Sequence, residues 1–422
     1  MPLSLAQLTD AVGASAGLRA RTDLEPLGGA GDKLFPPTYS VPDSAETKYA
    51  VEDRRVDGPD GPRTERSVVL DSVASQANRM EEAILSAIRS GALDAPVTSV
   101  DFGANGLPDL DRVSDWEAPH RIFDAILRDS FDGDELFRTG AVGRSITEAT
   151  SRNAAALAHH SPHTLLFGGW DSTGPKGGRG AKYERALTSE IVALDVRTGV
   201  KTASRVDPLR VERAAGTIYQ SATDVGWTLD EREADRDGAK AKVYDRQGKG
   251  DVGRPSQLNH GNVTPSIDAQ AGGVTAGSVV ATTVLSFIQL RRLRFPTLPD
   301  GTAVDPGRRA AVERAAHTAL AALGIAAAVL TFDAGFDLRS RCVLVPIRPL
   351  RLELLAGGGE RSEVEMSASD ALALLAEATQ AARDAGLGWR AGERTLRPSP
   401  RLVDLVRRSQ DVAVHAPAGA GA

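Results

Sequence analysis

Apolar positions change spacing from segment to segment, and the spacing marks the elements. Leu3–Val12 places apolar residues at helical intervals, whereas Gly17–Leu24 alternates as an exposed strand does. Ser67–Leu70 is a short apolar strand. It runs into Asp71–Ser90, a helix with Ala77, Met80, Ile84 and Ile88 on one face and Asp71 or Ser72 as its cap. Val97–Phe102 predicts a strand, Pro119–Ser130 a helix with Ile122, Phe123, Ile126 and Leu127 inward, and Asn153–His160 a shorter helix. Thr164–Phe167 predicts a strand, and Ile191–Val196 another. Gly273–Leu290 is β-branched and apolar and ends on Arg291, Arg292 and Arg294, as a strand leaving the core would. Gly307–Leu323 predicts a helix closed by Gly324 at its C-cap. Strands at Ile325–Thr331 and Arg341–Ile347 and a helix at Ala371–Ala385 complete the pattern.

Polar segments separate these elements. Gly28–Tyr39 is a glycine- and proline-rich loop, and Pro42–Arg66, with the turn-rich DGPDGPR at 57–63, fits a flexible excursion or hairpin. Asp230–Gly253 mixes acidic and basic residues and reads as a mobile insertion, and the tail from Ala416 as disordered. Mixed strands and helices with long loops predict an α+β fold. The pair at Ser67–Ser90 and the set at Gly273–Thr331 are the two halves expected of a split βαβ, or ferredoxin-like, unit. Residues 1–415 then read as one elaborated domain with insertions.

Of 422 residues, 41% are hydrophobic but only 5% aromatic, so the core must rest on Ala, Val, Leu and Ile. Cys342 is the one cysteine, which excludes an internal disulfide or a cysteine-based zinc site. The expected state is a buried thiol in a reducing compartment. No uninterrupted apolar run approaches the ~18 residues of a membrane span, and no leader is visible, so a cytoplasmic location is expected. A net charge of −6 argues against coating nucleic acid by sheer positive charge, but not against a basic groove on an acidic body.

Charge is concentrated around Gly168–Arg185 (GGWDSTGPKGGRGAKYER). Lys176, Arg179, Lys182 and Arg185 recur every three residues, and Trp170–Arg205 holds seven Lys/Arg against four Asp/Glu. Glycine N–H groups and these cations suit phosphates, and Trp170 or Tyr183 suits a base. Gly169 and Gly174 have the spacing of a nucleotide phosphate loop. That motif fails at once, because Pro175 follows Gly174, and Lys176 precedes Gly177 rather than Ser or Thr. An NTPase built on Gly169–Lys176, or a nuclease using His260, is the enzymatic alternative; a flexible loop that binds nothing is the plain one.

Gln76, Asn78 and Arg79 sit near a helix start, where phosphates are attracted. Asn259, His260, Gly261 and Asn262 form a polar turn before Pro265, more suited to structure near RNA than to catalysis. His159, His160 and His163 cluster, but Pro162 breaks the helix between them, so they read as solvent-exposed histidines rather than metal ligands. Arg144 and Arg152 are either RNA contacts or surface charges. No catalytic constellation and no cofactor motif is evident.

Met1–Asp10, Gly31–Tyr39 (GDKLFPPTY), Leu70–Glu82 (LDSVASQANRMEE), Glu117–Arg128 (EAPHRIFDAILR), Phe167–Arg185 and Asn259–Ile267 (NHGNVTPSI) together resemble the backbone subunit of the type I-G (formerly I-U) CRISPR effector complex. That subunit belongs to the Cas-seven family of the RAMP superfamily. The resemblance implies an RRM-like (ferredoxin-like) palm with large inserted finger and thumb elements. It also implies a non-enzymatic role: copies stack head to tail along CRISPR RNA and present it to target DNA. The implied partners are that RNA, target DNA through the guide, copies of the chain, a large subunit and an RNA-processing subunit. Lys33, Gln76, Asn78, Arg79, Arg144, Lys176, Arg179, Lys182, His260 and Asn262 are the RNA-contact candidates, and 42–66, with Arg54 and Arg55, the thumb candidate.

Overall fold

The computed structural model describes residues 2–58, 61–173, 180–212, 214–223, 226–245 and 252–415. The chain forms two compact units. The larger comprises 1–42, 48–197 and 273–403, and the smaller 43–47, 198–272 and 404–422.

The larger unit is built on a nine-stranded sheet. Its strands are β1 (Gly17–Pro26), β2 (Val51–Gly58), β3 (Gly61–Asp71), β4 (Leu187–Leu194), β5 (Ser278–Ser286), β6 (Phe336–Arg339), β7 (Cys342–Pro346), β8 (Arg351–Leu355) and β9 (Arg361–Glu365). The main path runs β2-β3-β4-β5-β1-β7-β6, with β8 pairing β1 and β9. Helices α1 (Leu5–Ala14), α2 (Val73–Arg89), α3 (Arg309–Ala334) and α4 (Ala368–Asp384) belong to this unit. Ser4 and Ser367 start α1 and α4 with reciprocal capping boxes, and Ser72 caps α2.

The central order β4-β5-β1-β7 is antiparallel throughout. It therefore contains two interlocked halves, β1–α2–β4 and β5–α3–β7, each with parallel strands separated by one strand of the other half. This is the ferredoxin-like palm. The expected first half had the right helix but the wrong strand, because Ser67–Leu70 lies in β3, outside β4. Gly17–Leu24 supplies the missing strand. It is central rather than exposed, with Leu18, Ala20, Thr22 and Leu24 buried toward the helices.

The second half departs further from expectation. Gly324 does not end the helix, and Ile325–Thr331 is not a strand; both lie inside the 26-residue α3. An apolar run of that length fits a buried helix as well as a strand, and α3 is buried on nearly every side through its second half. A Cβ on Gly324 would lie 3.0 Å from Leu285 Cδ1 and 3.3 Å from Leu166 Cδ1, so the glycine serves close packing. α3 is long and apolar enough to cross a membrane, but here it forms the core of the palm.

Two smaller expectations also fail. Thr164–Phe167 belongs to a helical turn, Pro162–Phe167, with proline at its first position. Pro119–Ser130 is broken into Arg121–Phe123 and Ala125–Arg128 by Asp124, whose carboxylate caps the second piece at Ile126 N–H. A five-stranded sheet, in the order 112–114, 97–101, 393–398, 130–132, 135–136, completes this unit.

The smaller unit is built of two-stranded ribbons. The longest pairs Lys201–Arg205 with Val263–Asp268, and both strands are almost wholly exposed. Asp230–Gly253 carries regular structure among its described residues, a turn at Glu231–Glu233 and a tight hairpin at Arg236–Ala241. The tail 416–422 lies outside the described residues.

Candidate nucleic-acid interface

The helical turn Pro162–Phe167 ends at Gly168, and the chain then reverses. Gly169–Trp170 pairs with Lys182–Tyr183, placing Trp170 opposite Lys182. Gly168 has φ +87°, and a Cβ there would lie 3.0 Å from Tyr183 O. A Cβ on Gly180 would lie 2.1 Å from Asp171 O. These two glycines are thus demanded by the reversal itself. Lys176 and Arg179, in the stretch 174–179, lie outside the described residues.

A buried ion pair anchors the reversal from below. Arg121 donates from Nε and Nη2 to the two carboxylate oxygens of Glu81 on α2, at 2.6 and 2.8 Å, and from Nη1 to Gly168 O at 3.0 Å. Arg121 and Glu81 are only 7% and 2% exposed. Burial pushes the Glu81 carboxyl up to about 7, against the pull of Arg121. Asp171, also buried, is held by Arg138 at 2.7 Å. Nothing in the spacing of Glu81 and Arg121 signals this pair, since 40 residues separate them.

The surface above is basic and carries one exposed aromatic ring. Lys182 Nζ sits 4.4 Å from the centre of the Trp170 ring, and Trp170 remains 45% exposed. Both line an open depression of about 510 Å³ with His120, Arg121, Gly168 and Arg185. Arg185 donates from Nε to Phe167 O at 3.1 Å and holds no ion pair among the described residues. A smaller depression shares Lys182, Tyr183 and Glu184 and adds Gln289 and Arg292. Arg292 meets Glu184 at 2.9 Å with both side chains about two-thirds exposed. Such a pair contributes roughly 0–1 kcal/mol and can be exchanged for a phosphate at little cost. Of the two aromatic candidates, Tyr183 is buried, and burial pushes its hydroxyl up, so Trp170 is the ring available to a base.

The open face of the palm sheet complements this reading. Its side chains from β1, β4 and β5 include Arg19, Arg21 and Asp23, Thr188 and Glu190, and Thr282 and Val284. These strands present no aromatic ring there of the kind on which RRM sheets stack bases. An exposed ring is instead present at the neighbouring reversal, in Trp170.

The other candidates are dispersed. Gln76 is a correction: it is fully buried, donating to Asp71 at 2.7 Å and accepting from Ser189 at 3.0 Å. Ser189 in turn meets Thr283 at 2.9 Å, so Gln76 ties α2 to the sheet. Arg79 spends its donors on Asp71 and on the carbonyls of Asp337 and Leu338. Asn78 and Arg144 are exposed. Lys33 is half-buried in its loop, its stem passing over Gly273. In the smaller unit Asn262 accepts from Asp207 N–H at 2.8 Å, and Asp207 accepts from Gly261 N–H at 2.7 Å, closing the base of the ribbon. His260 beside them is half-buried. In the thumb candidate, β2 and β3 form a hairpin at the sheet edge; Arg54 meets Glu190 at 2.8 Å, and Arg55 is exposed.

The histidine reading needs correction. His163 is fully buried, stacked on Trp116 with ring centres 3.9 Å apart, and His159 and His160 are half-buried. His163 lies near Ser161 and Asp115, a set of residue types familiar from hydrolases, but all three are at 0% exposure. No depression described above is lined by them. Burial pushes Asp115 up to about 8 and His163 well down, so both are neutral near pH 7. A neutral Asp115 in the fold, against ~3.9 in the unfolded chain, stabilises fully below pH ~4 and less as pH rises towards 8. Relative to Asp115→Asn, the wild-type chain should therefore lose thermal stability by several degrees between pH 5 and 8. A constant difference in melting temperature across that range would contradict this.

Comparison with known families fits the palm and the reversal beside it. The described residues form an α+β fold with a ferredoxin-like palm and a basic, tryptophan-bearing edge. Residues 18–198 match the family model of CRISPR-associated protein GSU0053, a Cas7-type family, so this part of the chain is similar to that family. The matched region runs from β1 through β4 and includes Glu81, Arg121, Trp170, Lys182 and Arg185. No curated protein matches the chain.

Proposed function

We propose that this chain is the non-enzymatic RNA-binding backbone subunit of a type I-G CRISPR effector complex. Copies line up along the guide RNA and hold it for pairing with target DNA, beside a large subunit and an RNA-processing subunit. The observation that carries this reading is the Trp170–Lys182 edge within the family-matched region. Lys182, Arg185 and Arg292 offer cations to phosphates, and Trp170 offers a face on which any base can stack. Neither contact reads sequence, as holding an arbitrary guide requires.

The test is affinity for several unrelated single-stranded RNAs of equal length, with and without magnesium. Equal, strongly salt-dependent binding and intact RNA are expected. Magnesium-dependent turnover of RNA or ATP, abolished by His260→Ala or Lys176→Ala, would establish the enzymatic alternative instead.

A further inference from the structure

We propose that the C-terminal helix of one copy docks in a cleft beside the five-stranded sheet of a neighbouring copy. The inference takes from the backbone reading only that neighbouring copies exist.

The cleft encloses about 920 Å³ between the end of α2 and the edge strand Arg112–Ser114. Leu85, Ile88, Leu93 and Val97 form an apolar floor. Its rim is acidic. Glu117 and Glu393 are partly matched, by Arg89 at 3.0 Å and Arg112 at 3.2 Å. Asp94 and Asp111 are exposed and hold no ion pair among the described residues. The cleft therefore suits an apolar stripe flanked by cations.

The chain carries such a stripe. The first turn of the helix Pro400–His415 is anchored: Val403 is buried, and Ser399 N–H donates to Asp129 O at 3.1 Å. Leu402, Leu405 and Val406, and Val412 two turns after Leu405, fall on one face. Leu405 is 65% exposed and Val412 66%. Arg401 and Arg408 lie along one edge of this face, and Arg408 makes an exposed contact to Asp404 at 2.9 Å. A short helix with an uncovered apolar face is marginal in water and gains stability when that face is covered. Helix and cleft are different patches of one chain, so their pairing is heterologous. It propagates an open array rather than a closed dimer, as a track along RNA requires.

Cys342 is buried, which leaves introduced cysteines as the reactive ones. The full-length Leu405→Cys/Arg89→Cys double variant, loaded with RNA long enough for several copies, is oxidised mildly and run without reductant. A ladder of disulfide-linked oligomers, absent from either single variant, is expected. Assemblies that form on RNA without a ladder would overturn the docking while leaving the backbone reading intact. A linked dimer from Leu405→Cys alone would overturn it in favour of helix-to-helix pairing. Absence of any assembly on RNA would remove both. As a second measure, Leu405→Asp should weaken assembly on long RNA roughly tenfold, as loss of a central interface anchor does, without changing affinity for an RNA that holds one copy. Unchanged assembly would count against the docking.

Discussion

Trp170→Ala is expected to weaken binding of single-stranded RNA by about 1–3 kcal/mol, roughly five- to 150-fold, while leaving the fold intact. The ring is 45% exposed and lines an open depression, so its removal leaves no cavity in the core. The loss should be similar for unrelated RNA sequences, because every base has a face to stack. Lys182→Ala acts differently. It removes the cation over the ring and one phosphate partner, and should lower the slope of log affinity against log salt by about one. Trp170→Ala should leave that slope nearly unchanged. Filter binding at several salt concentrations separates the two effects. Identical slopes for Lys182→Ala and wild type would remove Lys182 from the phosphate track.

The second large effect concerns the support beneath that surface. Arg121→Ala leaves Glu81 as a buried carboxyl without its partner and should destabilise the chain by about 3–5 kcal/mol, measured as a fall in the urea midpoint. Arg121→Lys should recover little, since one ammonium cannot replace two donors to Glu81 and a third to Gly168 O. The Glu81→Leu/Arg121→Met pair is the informative control. It removes both charges and should regain most of the stability, yet it leaves Gly168 O without its donor. If that bond holds the Trp170 reversal in place, the double variant folds but binds RNA less well. A double variant with full affinity would show the pair to serve stability alone.

Much of the palm was legible in the sequence, for identifiable reasons. The helices α1, α2 and α4 lie within a few residues of where apolar spacing places them, and for α2 the expected Ser72 cap is present. Reading failed where burial is complete. α3 is apolar nearly all round, so its second half carries no periodicity to tell helix from strand, and Gly324 imitates a C-cap because a packing glycine and a capping glycine look alike in one dimension. The split βαβ unit was recognised by class, but its first strand was misplaced, since strand pairing between residues 17–26 and 278–286 leaves no local trace.

The candidate interface divides in the same way. The segment from Gly168 was conspicuous because its charge and glycine content are local properties. Gln76 looked like a contact because a glutamine near a helix start suits phosphate. Its true partners, Asp71 and Ser189, come from the strands on either side of the helix. Arg121 drew no notice as a site residue, because a buried arginine is identified by its partner and not by its neighbours in sequence.

In the proposed role this protein holds guide RNA along a track that includes the Trp170–Lys182 edge. The most direct measurement is to isolate the chain from cells carrying its CRISPR locus and to sequence the RNA that accompanies it, for wild type and for the Trp170→Ala/Lys182→Ala variant. Spacer-derived RNA of defined length is expected with the wild type, and strongly reduced recovery with the variant. Wild-type protein free of nucleic acid, or accompanied by cellular RNA without spacer enrichment, would contradict it.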